Sequence, residues 1–99
     1  MRLVNLLFDE EYENVDILSV PDDIADNIDN IAQEFTRWIW FPENRQQFMV
    51  TLSDGKECLS FDTKEFLWWL NNIFLSPGQT AAIYLQHTSF HPEHPTANF

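Results

Sequence analysis

The spacing of apolar residues divides the chain into short elements. Residues 2–8 (RLVNLLF) and 14–19 (NVDILS) read as strands. Val15 and Ile17 alternate with Asp16 and Leu18, the period of two expected of a half-buried strand. The first segment alternates poorly and also admits a helix. Residues 21–40 give the clearest helical pattern. Ile24, Ile28, Ile31, Phe35 and Trp38 recur at intervals of four and three and form one stripe. Ser19, Asp22 and Asp23 suit its first turn, where free N–H groups and the helix dipole favour oxygen ligands. Pro21 suits an early helical position, and Pro42 ends the pattern.

Residues 47–61 read as a hairpin centred on Asp54-Gly55, a strong two-residue turn signal. Counting outward from a type I′ turn pairs Leu52 with Glu57, Thr51 with Cys58, Val50 with Leu59 and Phe48 with Phe61. Phe48, Val50, Leu59 and Phe61 would then share a face. Residues 63–75 read as a second helix. Asp62 with Glu65 imitates a capping box at its start. Phe66, Leu67, Leu70, Ile73 and Phe74 form its apolar stripe, and Pro77-Gly78 stops it. Residues 81–87 (AAIYLQH) read as a last strand. From Phe90 onward, with Pro92 and Pro95, no regular pattern is left, and 90–99 is expected to be a mobile tail.

The expected class is α+β: a mainly antiparallel sheet with two helices packed on it, in the order β-β-α-β-β-α-β. Ninety-nine residues without a linker or a repeat fit one domain, 1–99. A hydrophobic fraction of 44% argues against intrinsic disorder. The opening lacks the apolar core and cleavage site of a signal peptide, and no stretch approaches a membrane span. With the lone Cys58, a cytoplasmic protein is expected.

Charge changes the picture most. Sixteen Asp and Glu stand against five Lys and Arg, a net charge of −11. Direct binding to nucleic-acid phosphates or to an anionic membrane is disfavoured, and a basic protein partner is favoured. The acids are front-loaded: residues 1–30 carry nine against the single base Arg2. These are Asp9, Glu10, Glu11, Glu13, Asp16, Asp22, Asp23, Asp26 and Asp29, the candidate partner-binding acids. A lopsided charge produces a directional field that speeds encounter with a cationic surface.

Trp40 and Trp69 are the candidate apolar anchors. Trp68 and Trp69 lie about 100° apart on a helix, so one of them should be partly exposed. His87, His91 and His94 have an H-x3-H-x2-H spacing, but Pro92 and Pro95 break any helix there. They are read as incidental, with no metal and no cofactor expected. Cys58 has no activating base in sight and is read as structural. Two glycines cannot supply a P-loop or a dinucleotide motif, and no calcium loop is present, so no enzyme activity is expected.

The segments PDDIADNIDNIAQEFTRWI and LSDGKECLSFDTKEFLWWLNN resemble small acidic immunity proteins of bacterial toxin systems, of the contact-dependent growth inhibition type. The resemblance covers about residues 20–75 and rests on element order, size and acidity. It implies a protein that stays in the toxin-producing cell and neutralises one cognate toxin, commonly a basic nuclease. It carries over no individual binding residue. The expected function is therefore an intracellular inhibitor that occludes a basic cognate toxin domain. The alternatives are a nucleic-acid mimic that inhibits a DNA-binding enzyme, and an accessory oligomeric domain.

Overall fold

The computed structural model describes residues 1–8 and 14–99. Strands β1 (Arg2–Leu7) and β2 (Asn14–Val20) pair antiparallel, with Asn5 opposite Ile17. The expected turn between them, like the acids Asp9, Glu10, Glu11 and Glu13, lies outside the described residues. β2 shifts register between Ile17 and Leu18. Val15, Ile17, Leu18 and Val20 are all buried. The strand is thus covered on both faces and not half-buried as its alternation predicts.

The helix expected over 21–40 divides into α1 (Asp22–Asp26) and α2 (Ile28–Ile39). Asn27 separates them, with φ −125° and ψ 22°. Its side-chain amide donates to the Asp23 carbonyl at 3.3 Å, the local competition with the backbone that Asn offers. The apolar stripe survives the break: Ile24, Ile28, Ile31 and Phe35 are buried, and Trp38 is half-buried. Pro21 caps α1 through its carbonyl, which accepts from Ala25 N–H at 3.0 Å, and Ser19 makes no cap. Pro42 ends α2 as expected and then occupies the first turn of a short helix, α3 (Pro42–Arg45), where its missing N–H costs nothing.

A 3₁₀ turn at Gln46–Phe48 leads into β3 (Met49–Thr51), which pairs with β4 (Glu57–Leu59). The hairpin forms where expected, but its register is one residue off. Met49 faces Leu59, Val50 faces Cys58, and Thr51 faces Glu57. The cause is the turn. Type I′ needs positive φ at both central residues, yet Gly55 alone takes one here, at 85°, and no non-glycine among the described residues does. Leu52 and Lys56 therefore close a three-residue loop with Gly55 in the left-handed position. A one-residue slip turns side chains to the other face. Phe48, Leu59 and Phe61 still reach the core, while Val50 is exposed.

The capping box at α4 (Thr63–Trp69) is present. Asp62 accepts from Lys64 N–H at 2.9 Å, and Glu65 accepts from Asp62 N–H at 3.0 Å. Burial, followed by the hydrogen bond to Asp62, raises the pKa of the Glu65 carboxyl above the ordinary range. After α4 the chain widens into a π turn at Leu70–Phe74, closed by Leu75 N–H on the Leu70 carbonyl at 2.9 Å. The changed phase turns Ile73 out to solvent, whereas Phe66 and Leu70 stay buried. Asn71 then clamps Ala82, accepting its N–H at 2.8 Å and donating to its carbonyl at 3.0 Å.

The last expected strand is β5 (Ile83–Ser89), two residues later than its pattern implies. The segment expected to be an irregular tail supplies a further strand, β6 (Thr96–Asn98). The main sheet runs β5-β2-β1-β6, with β6 parallel to β1 and the other neighbours antiparallel. The class is α+β, with a four-stranded, mostly antiparallel sheet; the helix count and element order are richer than the simple two-helix scheme. The helices cover the face carrying Val4, Leu6, Leu18 and Val20. Asn5 belongs to the other face and is fully buried, its amide donating to the His91 carbonyl at 2.7 Å.

Phe35 sits at the centre of the aromatic core, with ring centroids at 5.3 Å from Phe61, 5.4 Å from Phe66, 5.4 Å from Trp69 and 6.3 Å from Phe99. Replacing it leaves a cavity lined by three other segments, the hairpin exit, α4 and the C-terminal residues, that would have to collapse into it. Phe35→Ala should therefore cost about 3–5 kcal/mol, measured by urea unfolding with the slope held as a check on two-state behaviour.

Candidate functional site

The acids of α1 and the start of α2 stay at the surface. Asp22 lies 3.2 Å from the amino terminus, and Asp26 pairs with the Arg2 guanidinium. Asp29 accepts from Asn98 N–H at 2.9 Å, and Gln33 donates to the Asn98 carbonyl at 3.1 Å, so α2 also straps β6. Asp23 is exposed. Exposed ion pairs of this kind contribute little stability, and the Asp22 and Asp26 side chains remain 69% and 63% exposed.

Asp16 departs from that pattern. Its side chain is only 21% exposed. It accepts hydrogen bonds from the Thr63 hydroxyl and shares one with His87 Nδ1 at 2.7 Å. A strand position facing α4 and paired with β5 draws it into the body of the fold. It ties β2 to both neighbours and is not the free surface carboxylate expected. With Asp62, Thr63, Lys64, Leu67 and Tyr84 it lines an open cavity of about 410 Å³. Desolvation first, and then the charge and hydrogen bond of Asp16, raise the pKa of the Tyr84 phenol above its ordinary value.

The tryptophans sort differently from expectation. Trp40 is 55% exposed at the C-terminal end of α2, next to exposed Phe41. Arg45 lies over its ring at 6.0 Å, and the two border an open groove of about 510 Å³ with Met49, Glu57 and Cys58. Trp69 is 3% exposed and packs on Phe35, Phe66 and Phe74, so it is a core residue and not a surface anchor. Trp68 is the exposed member of the pair, 6.3 Å from Trp38. The sequence requires that one of them be exposed; which one follows from Trp69 standing three residues after buried Phe66, on the inner face of α4. Phe41, Trp68, Tyr84 and Phe90 are further exposed aromatics that the candidate anchor set does not include.

At 100° per residue, Asp29, Gln33, Arg37 and Trp40 fall within an arc of about 80° on α2. The outward face of that helix thus carries a carboxylate at one end and an indole at the other. Cys58 is half-buried opposite Val50 and not Thr51. Of the three histidines, His87 is engaged with Asp16, whereas His91 and His94 converge on Glu93 in the turn before β6.

No helix among the described residues is long and apolar enough to cross a membrane. No family model matches the chain, and no curated protein or solved structure matches it either.

Two measurements test these placements. Trp69→Ala should cost about 3–5 kcal/mol of stability, and Trp40→Ala about 0.5 kcal/mol or less; equal losses in urea unfolding would contradict the assignment of one to the core and one to the surface. In a Tyr12→Phe background, Asp16→Asn should move Tyr84 ionisation back towards its ordinary value, followed by tyrosinate absorbance. Because the pKa of the folded phenol is raised, its contribution to stability is complete below the unfolded value and is lost as pH climbs through the folded one.

Proposed function

We propose that this chain is an intracellular, cytoplasmic inhibitor that binds and occludes a basic cognate protein, a toxin domain of the nuclease type. The observation that carries the reading is the exposure of acids along α1 and the start of α2, and of aromatics at the end of α2. Asp22, Asp23, Asp26 and Asp29 lie exposed at one end, with Trp40 and Phe41 exposed at the other. Twelve residues of α2 span about 18 Å. That is within the width of a standard interface of about 800 Å² per partner.

The two ends would act on different rates. Carboxylates facing Lys and Arg on the partner raise the encounter rate and reject acidic surfaces. A desolvated indole in a partner pocket slows dissociation. A toxin that grips nucleic-acid phosphates presents the cationic surface such a face would cover. Asp16 and Trp69 have no part in this mechanism, because both are committed inside the fold.

The test is binding to any cationic domain that the neighbouring genes encode, with nuclease activity as a second readout. Replacing Asp22, Asp23, Asp26 and Asp29 together by Asn should lower the association rate by about 10-fold or more and flatten its salt dependence. Trp40→Ala should raise the dissociation rate by about 10-fold with little change in association. Unchanged binding by the quadruple variant would remove the acidic face from the mechanism. A chain that binds no cationic neighbour at all would overturn the inhibitor reading.

A further inference from the structure

The turn that joins β5 to β6 gathers three side chains that ligate metals. His91 Nδ1 lies 3.1 Å from Glu93 Oε1, and His94 Nε2 lies 4.0 Å from the same oxygen. One ligand atom from each residue falls within 4.8 Å of the other two, and the imidazole rings stand 5.3 Å apart. A tetrahedral cation with bonds of about 2.0–2.2 Å places its ligands about 3.3–3.6 Å from one another. Small side-chain rotations therefore bring all three into range.

The backbone beneath them is already held. Pro92 restricts the turn, and His94 N–H closes it on the His91 carbonyl at 3.1 Å. Buried Asn5 donates to that same carbonyl and, at 3.1 Å, to the Thr96 hydroxyl. Thr96 in turn donates to the His94 carbonyl at 3.3 Å. Both histidines are thus pinned through their main chain to β1 and β6, the kind of support that orients ligands before a metal arrives. No Lys or Arg occurs from residue 65 to the end of the sequence, so this turn has no nearby cation in sequence to compete for Glu93.

We propose that His91, Glu93 and His94 form a binding site for a late first-row divalent cation, zinc being the representative, which locks the turn between β5 and β6. Two imidazoles and one carboxylate suit zinc, cobalt, nickel or copper and not calcium or magnesium, which take oxygen ligands. Three protein ligands leave a fourth position for water. His87 does not belong to the set: the three ligand atoms that lie within 4.8 Å of one another come from His91, Glu93 and His94.

The test is calorimetric titration of the untagged full chain with zinc, together with cobalt absorption spectra. One zinc per chain with a dissociation constant of about 10 µM or tighter is expected, along with a raised thermal midpoint. Glu93→Gln and His91→Ala should each weaken binding at least tenfold, and His87→Ala should leave it unchanged. Glu93 is the most exposed of the three, and Gln preserves its size, so its variant separates ligand loss from misfolding. Weaker binding, binding that survives both ligand substitutions, or binding abolished by His87→Ala would overturn the site.

Discussion

Aromatic packing around one phenylalanine, mostly edge-to-face, holds together segments far apart in the chain. Phe35 on α2 receives Phe61 from the hairpin exit, Phe66 and Trp69 from α4, and Phe99 from the C-terminal end. A domain of this size has little interior, and large aromatic side chains bury the most apolar area per residue placed there. The same packing fixes the rotation of α2 about its axis. What lies half a turn from Phe35 is then turned away from the aromatic core, although Asp29 and Gln33 on that side also bond the Asn98 backbone. The outward line of Asp29, Gln33, Arg37 and Trp40 follows from what happens inside.

Features governed by neighbours in sequence were legible before the fold was known. The stripe of α2 follows from a helical period, and the Asp62–Glu65 box involves residues three apart. The position of the hairpin was readable from Asp54-Gly55. Its register was not, because that depends on whether one or two residues take positive φ, and only Gly55 does so freely. β6 has three residues, too few to display a period. Its existence depends on a parallel partner at the other end of the chain.

The site was legible in part for the same reason. A carboxylate on the polar side of a helix is exposed by geometry, so Asp22, Asp23, Asp26 and Asp29 could be placed from spacing alone. Asp16 could not, since its partners Thr63 and His87 lie 47 and 71 residues away. The two indoles of 68 and 69 differ only in which one follows Phe66 around the inner face of α4. The convergence of His91, Glu93 and His94 arises in a turn, where no periodic rule applies. Sheet edges add a further role for charge. β5 leaves seven residues along an outer edge, with Ile83, Tyr84 and Leu85 exposed. Such an edge invites pairing between copies, and mutual repulsion at −11 opposes it.

The parallel pairing of β1 with β6 has a kinetic side. Asn5 meets Thr96 across 91 positions, so this contact closes nearly the whole polymer into a ring. Ring closure on that scale is entropically slow, and it comes late if nearer pairings form first. During synthesis β1 and β2 can zip early, yet the far side of β1 stays open until Thr96–Asn98 have been made. The nascent domain therefore spends most of its birth with one strand flank uncovered, an unpaired edge of the kind that other strands can join.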